Sequence, residues 1–172
     1  MLKIFKGMNV LNHLTEGVMQ KLVTVLLVVM MMLVGATAAV AADSATKAEC
    51  IKKCKDAASM VRNMGLDKTI AEVNKKDGAF VWKNTYVFMM DLEGKMIAHP
   101  MKASLIGRNL LDLKDSNGKE FFKDFMKVAK GKGEGWVDYM WPKPGADKPS
   151  EKISYIYRPQ GEDVLFGAGI YK

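Results

Sequence analysis

Histidine and cysteine are scarce in this chain, with two of each in 172 residues. His13 lies upstream of a long apolar run, which leaves His99 alone in the rest of the sequence. A histidine-based zinc centre or a Ser-His-Asp triad needs companions that His99 does not have. The cysteines stand as Cys50 and Cys54 in ECIKKCK, so there is neither a redox C-x-x-C nor a haem-attachment C-x-x-C-H. DLKDSNGKE loosely resembles a calcium loop, but its first ligand position would fall on Leu113. GKGEGW has its glycines wrongly spaced for a dinucleotide fingerprint and precedes a strand pattern rather than a helix. The methionines recur at core periodicity and not as a copper-type cluster. No internal repeat is visible. The expectation is a protein that is not an enzyme and carries no cofactor.

What is present begins with residues 22–34, LVTVLLVVMMMLV, behind Lys3, Lys6 and Lys21 and followed by the small-residue stretch GATAAVAADS. A basic flank, a short apolar run and an alanine-rich exit form a secretory signal. A membrane span needs roughly 20 apolar residues, a length reached only by counting on through Ala42. The expectation is a signal over residues 1–42, cleaved after Ala41 or Ala42, with Met19 as an alternative start. The alternative is an uncleaved inner-membrane anchor. Residues 43–172 then form one exported, periplasmic or otherwise extracytoplasmic domain, a length suited to one core. The net charge is +7, with the basic residues scattered. An exported chain without aromatic-basic repeats is no nucleic-acid binder, whereas a positive field suits a small anionic ligand.

Residues 46–64 place Cys50, Cys54, Ala57, Val61 and Met64 on one helical face. The two cysteines are small packed residues, an intrachain disulfide or an intermolecular pair. On a helix, i,i+4 β-carbons lie about 5–6 Å apart, and a bridge wants about 3.5–4.5 Å. A second short helix follows Gly65, with Asp67 as its cap and Gly78 as its stop. FVWKNTYVFMMD, residues 80–91, reads as one strand, DLEG as a turn and KMIAH as the returning strand. Tyr86, Phe88 and Met90 share one face of the first strand, with Val87 and Met89 on the other. A loop leads to a helix capped by Ser116 and running to about Ala129. WVDYMW, KISYIYR and DVLFGAGIY then supply three strands that can meander. The class is α+β, with a five-stranded antiparallel sheet and a long helix on one face.

The aromatic residues gather toward the end of the chain. Val137, Tyr139 and Trp141 share a face, and Lys152 and Ser154 alternate with Ile153 and Tyr155. Adjacent strands would bring tyrosine hydroxyls and the Lys152 ammonium together beside tryptophan, the usual anatomy of a small-ligand site. Taken alone, Lys152 reads as a solvated residue at a strand edge, and His99 before Pro100 as a partner for backbone carbonyls. As a ligand contact, His99 would serve as a donor or as a cation tuned by its neighbours.

These motifs occur in a recognisable order: Asp91–Gly94, His99-Pro100, Gly107–Leu110, Lys114–Gly118, Tyr139–Trp141, Lys152–Tyr155 and Gly167–Tyr171. Over roughly residues 57–172 the chain resembles the single Cache domain family of extracytoplasmic sensors. The resemblance implies a PAS-like sheet on a long N-terminal helix, with a ligand pocket on the opposite face. It also implies a small monocarboxylate ligand of the acetate, propionate, lactate or pyruvate type, and signalling through a membrane receptor or kinase. Lys152 would neutralise the carboxylate; Tyr139, Tyr155 and His99 would hydrogen-bond it; Trp141 and Tyr86 would wall it. Arg108 is a further candidate. The sequence stops soon after its last strand, so the expectation is a free-standing exported binder acting through a separate partner. Two other classes stand beside this one: a periplasmic interaction subunit without a small ligand, and a cysteine redox protein.

Overall fold

The computed structural model describes residues 44–172, and the expected export signal lies outside them. Helix α1 spans Lys47–Met64 behind a capping box. The Thr46 hydroxyl accepts from the Glu49 amide at 3.2 Å, and the Glu49 carboxylate accepts from the Thr46 amide at 2.7 Å. Cys50, Cys54, Ala57, Ala58 and Val61 form its buried face. Gly65, at φ 86°, ends α1 and starts α2, Leu66–Val73. The predicted cap Asp67 therefore lies in the first turn of α2, and Asn74 rather than Gly78 stops the helix.

The aromatic run expected as one strand is two: β1, Val81–Trp82, and β2, Thr85–Asp91. Trp82 pairs with Thr85, so Lys83 and Asn84 make a two-residue hairpin turn with Lys83 at φ 47°. The turn is tied to the start of α1. Lys83 Nζ meets Glu49 Oε1 at 2.8 Å, and Asn84 Oδ1 accepts from the Ala45 amide at 3.0 Å. This split makes the sheet six-stranded instead of five-stranded.

The turn after Asp91 leads into β3, Met96–Ala98, antiparallel to β2. Helix α3 covers Phe121–Lys130 and starts later than a Ser116 cap would allow. Asp115 explains the delay: its Oδ1 accepts from the amides of Asn117 and Lys119, and its Oδ2 from Met140 N on the next strand. The meander follows as β4, Glu134–Pro142, β5, Pro149–Tyr157, and β6, Val164–Tyr171. The sheet order is β1-β2-β6-β5-β4, all neighbours antiparallel, with β3 also on β2.

Strand alternation divides the apolar residues into two cores. Val87, Met89, Tyr155, Phe166 and Ala168 face α1. Tyr86, Phe88, Met90, Val137, Tyr139, Ile156 and Leu165 face the other way, where α3 covers them with Phe121, Phe122, Phe125, Met126 and Ala129. The Phe88 ring lies so close over Gly167 that a β-carbon there would run into it. Gly167→Ala is therefore expected to cost about 1–3 kcal/mol by overpacking, with Phe88→Leu in the same chain restoring part of it. Urea denaturation measures both; a Gly167→Ala protein as stable as the parent would show that this contact does not set the packing.

Candidate ligand-binding site

Lys152 lies in the middle of a row that crosses three strands. It pairs with Tyr139 of β4 on one side and Tyr171 of β6 on the other. The expectation of a solvated edge residue is thus corrected: β5 is flanked on both sides, and Lys152 is 1% exposed. Its Nζ lies 4.4 Å from the centre of the Tyr86 ring and 4.7 Å from that of Tyr171. It has no hydrogen-bond partner among the described residues. Burial lowers its pKa from 10.5 to about 7, and the nearby charge of Lys102 pushes the same way.

Polar groups surround this ammonium in fixed pairs. Tyr139 Oη and Ser154 Oγ share a hydrogen bond at 2.9 Å. The Trp141 indole N–H donates to Tyr86 Oη at 3.0 Å, and Tyr171 Oη donates to the Pro142 carbonyl at 2.8 Å. Burial pushes the Tyr86 hydroxyl up to about 12 and Tyr139 well above its usual value, so both keep their protons. His99 accepts the Lys102 amide on Nδ1 at 2.9 Å, while its own amide donates to Asn74 Oδ1. Burial, reinforced by Lys152 and Lys102, lowers the imidazole to about 3. It is thus a neutral ring with its proton on Nε2, a donor and not a cation.

His99, Tyr86, Tyr139 and Trp141 face a cage closed on its other sides by Phe88, Met96, Phe121, Phe122 and Phe125. The Phe121 and Tyr139 rings stack at 4.2 Å, and the His99 and Tyr86 rings approach to 4.8 Å. The enclosed free space is about 10 Å³, close to one water molecule. A ligand of several atoms enters only if some of these rings shift.

Five of the expected site residues thus lie together: Lys152, Tyr139, Trp141, His99 and Tyr86. Tyr155 does not join them. Odd-numbered residues of β5 face α1, and Tyr155 stacks on Tyr157 and gives its hydroxyl to the Glu134 carboxylate. Arg108 is exposed in the loop behind β3, where its carbonyl accepts from Met96 N at 3.0 Å. Cys50 and Cys54 are free thiols, fully buried between α1 and the sheet. Burial raises Cys50 to about 12 and Cys54 well above its usual value. They pack as small apolar residues, and no disulfide joins them. Tyr171 and Lys102 were not expected. Tyr171 was legible, because β6 alternation puts it on the face of Gly167 and Gly169. Lys102, in an irregular loop with its Nζ 4.7 Å over the Trp141 ring, left no pattern to read.

The sequence profile of the Single Cache domain 2 family matches residues 16–172. The methyl-accepting chemotaxis protein McpP of Pseudomonas putida is 38% identical over 88 residues, which are 50% of this chain and 16% of that receptor. The sensor histidine kinase MctS of Rhizobium johnstonii is 32% identical over 89 residues, 52% of this chain and 19% of the kinase. The chain therefore spans less than a fifth of either relative's length. A solved Cache chemosensory domain, studied for its recognition of carboxylic acids, superposes with a TM-score of 0.56 at 32% identity. That match covers 70% of this chain and 80% of the other. With a sheet, a helix on one face and the candidate site on the other, and with the family profile matched over residues 16–172, this chain belongs to the Single Cache domain 2 family.

Proposed function

We propose that residues 43–172 form an extracytoplasmic sensor domain that binds a small monocarboxylate of the acetate, propionate, lactate or pyruvate type. It acts by ligand binding, not catalysis, and passes its occupancy to a membrane receptor or kinase. One observation carries the reading: Lys152 is buried against the Tyr86 and Tyr171 rings, next to a cage lined by no carboxylate, and its Nζ has no hydrogen-bond partner among the described residues. A carboxylate supplies that partner, and a charge-assisted hydrogen bond contributes about 1.5–3 kcal/mol. Tyr139, His99 and the Tyr86–Trp141 pair supply donors around it, and the phenylalanines suit a short apolar tail. The acid-binding Cache relative supports the class of ligand, and the chemoreceptor and kinase relatives support the kind of partner. Residues 1–42 serve as the export signal in this reading. N-terminal sequencing of exported protein is expected to start at Ala42 or Asp43; residues 20–40 found intact in a membrane fraction would favour the anchored form.

Lys152→Met keeps most of the apolar stem and removes the charge. Calorimetric titration of the parent with the four acids and their neutral amides is expected to show a preference for acids, which the variant loses. Stranding the carboxylate costs on the order of 2–5 kcal/mol when the pair is desolvated. Without ligand, the variant should melt higher than the parent, because it removes a buried ammonium that lacks a partner. A variant that binds acids as tightly as the parent would show that Lys152 is not the counter-ion.

The lowered lysine also fixes a pH dependence. Between about pH 7 and 10.5 the unfolded chain holds a proton that the folded, unliganded one has released. Stability from this group is therefore lowest below pH 7 and rises with pH across that window. A bound carboxylate favours the charged lysine, so binding above pH 7 takes up a proton. Acid affinity should fall about tenfold per pH unit above 7 until the pKa of the bound state is reached. Titration at pH 8.5 in two buffers of different ionisation enthalpy should report uptake of about one proton per acid bound. Equal heats in the two buffers would exclude Lys152 as the titrating partner.

A further inference from the structure

Two surface hollows adjoin the closed cage, and their charges differ. The first, about 260 Å³, lies between Met101-Lys102 and the β4–β5 loop and has Tyr86 on its wall. Lys102 and Lys143 stand at its rim with Asp147 as the one acid. Lys102 Nζ lies over the Trp141 ring, and Lys143 Nζ lies 5.9 Å from the centre of the Tyr171 ring. Neither ammonium forms an ion pair among the described residues. The charge of Lys102 reaches inside, since it acts on both His99 and Lys152.

The second hollow, about 200 Å³, reaches Tyr139 and Lys152 from the other end of the row. Three acids line it: Asp115, Asp138 and Glu151. Its other two lysines are already engaged, Lys119 with Asp138 and Lys172 with Glu151, each at 3.4 Å. An anion approaching there meets paired cations and surplus carboxylate. At the first hollow it meets two cations without carboxylate partners. The wall it must then pass is held by the hydrogen bonds from Trp141 to Tyr86 and from Tyr171 to Pro142.

We propose that Lys102 and Lys143 are steering residues, which draw an anionic ligand into the hollow beneath the β4–β5 loop and past Trp141 and Tyr86 to Lys152. The assignment rests on the carboxylate reading of the cage. It gives the two rim lysines a role in the rate of arrival and leaves the hold on the bound acid to Lys152. Steering of this kind acts through the long-range field and weakens with salt.

The test is stopped-flow mixing of the purified protein with propionate, followed by tryptophan fluorescence, at low and at physiological ionic strength. An equilibrium titration with propionate precedes it. Lys102→Met with Lys143→Met is expected to lower the association rate constant about tenfold at low salt and to flatten its salt dependence. At pH 6, where Lys152 is charged with or without Lys102, the dissociation rate constant should stay within about twofold, because affinity set by steering changes arrival and not departure. Lys172→Met, at the other hollow, should leave both constants unchanged. An unchanged association rate in the double variant would overturn the assignment while the cage reading stands. Faster dissociation at an unchanged association rate would also overturn it, by making the rim lysines direct ligand contacts. Where the parent binds another of the four acids instead of propionate, that acid is the probe, and a parent that binds none of the four removes both readings together.

Discussion

An ammonium group held inside a protein without a partner works against folding, and the candidate site is arranged around Lys152, whose Nζ has no partner among the described residues. Moving the Lys152 equilibrium from 10.5 to about 7 corresponds to about 5 kcal/mol against the charged form. The rings of Tyr86 and Tyr171, at 4.4 and 4.7 Å, return part of this through cation–π attraction, about 0.5–2 kcal/mol each. The remainder is carried by packing elsewhere, in the two apolar layers on either side of the sheet. A local arrangement unfavourable alone is kept here because the surrounding structure over-determines it, which fits the proposed role of the site.

That arrangement depends on where β6 enters the sheet. Because β6 lies between β2 and β5, Lys152 becomes an interior residue of a row with Tyr139 and Tyr171, and Tyr86 is brought near from β2. Glycines at 167 and 169 keep the near side of β6 low, so that Phe88 and Ser154 can approach its backbone. The Thr85 hydroxyl then donates to the Gly169 carbonyl at 2.5 Å and ties β2 to β6 beside the site. On the reverse side of β5, Tyr155 packs with α1, and Cys54 Sγ lies 4.0 Å from its carbonyl oxygen. One strand thus carries the ammonium on one face and a contact with the long helix on the other.

Much of this was legible from period-two alternation. It placed Tyr86 with Phe88, Tyr139 with Trp141, and Lys152 with Ser154, and adjacency of consecutive strands brought the last two sets together. The same rule that puts Lys152 on the face of Tyr139 puts Tyr155 on the opposite one: it is an odd-numbered neighbour and faces the helix. The depth of Lys152 was not legible, because local sequence does not say that a later strand will close its open side. The hairpin at Lys83-Asn84 was hidden by aromatic and β-branched neighbours and lacks the glycine that usually marks a two-residue turn. The late start of α3 was hidden for another reason: Asp115 uses its carboxylate on the Met140 amide, a tertiary bond that outweighs a local cap. Lys102 belongs to an irregular loop, where no periodicity exists to be read.

In the proposed reading, charge more than shape separates the ligands of the cage. Its walls are aromatic rings and methionine, with tyrosine hydroxyls, an indole and a neutral imidazole as the polar atoms. Tyr86 already accepts from Trp141, and Tyr139 already shares a bond with Ser154, so these groups can adjust to a guest without being stranded by its absence. Lys152 differs from them, because among the described residues nothing satisfies its Nζ. A neutral amide of the same size would fill the space and meet the same donors, yet it would leave the ammonium with only a dipole. In that reading an acid brings the one charge that the cage walls lack, and beside a buried lysine that charge acts at short range and with little screening. The proposed selectivity for an anion then follows from a lysine that this fold buries and, among the described residues, leaves unpaired.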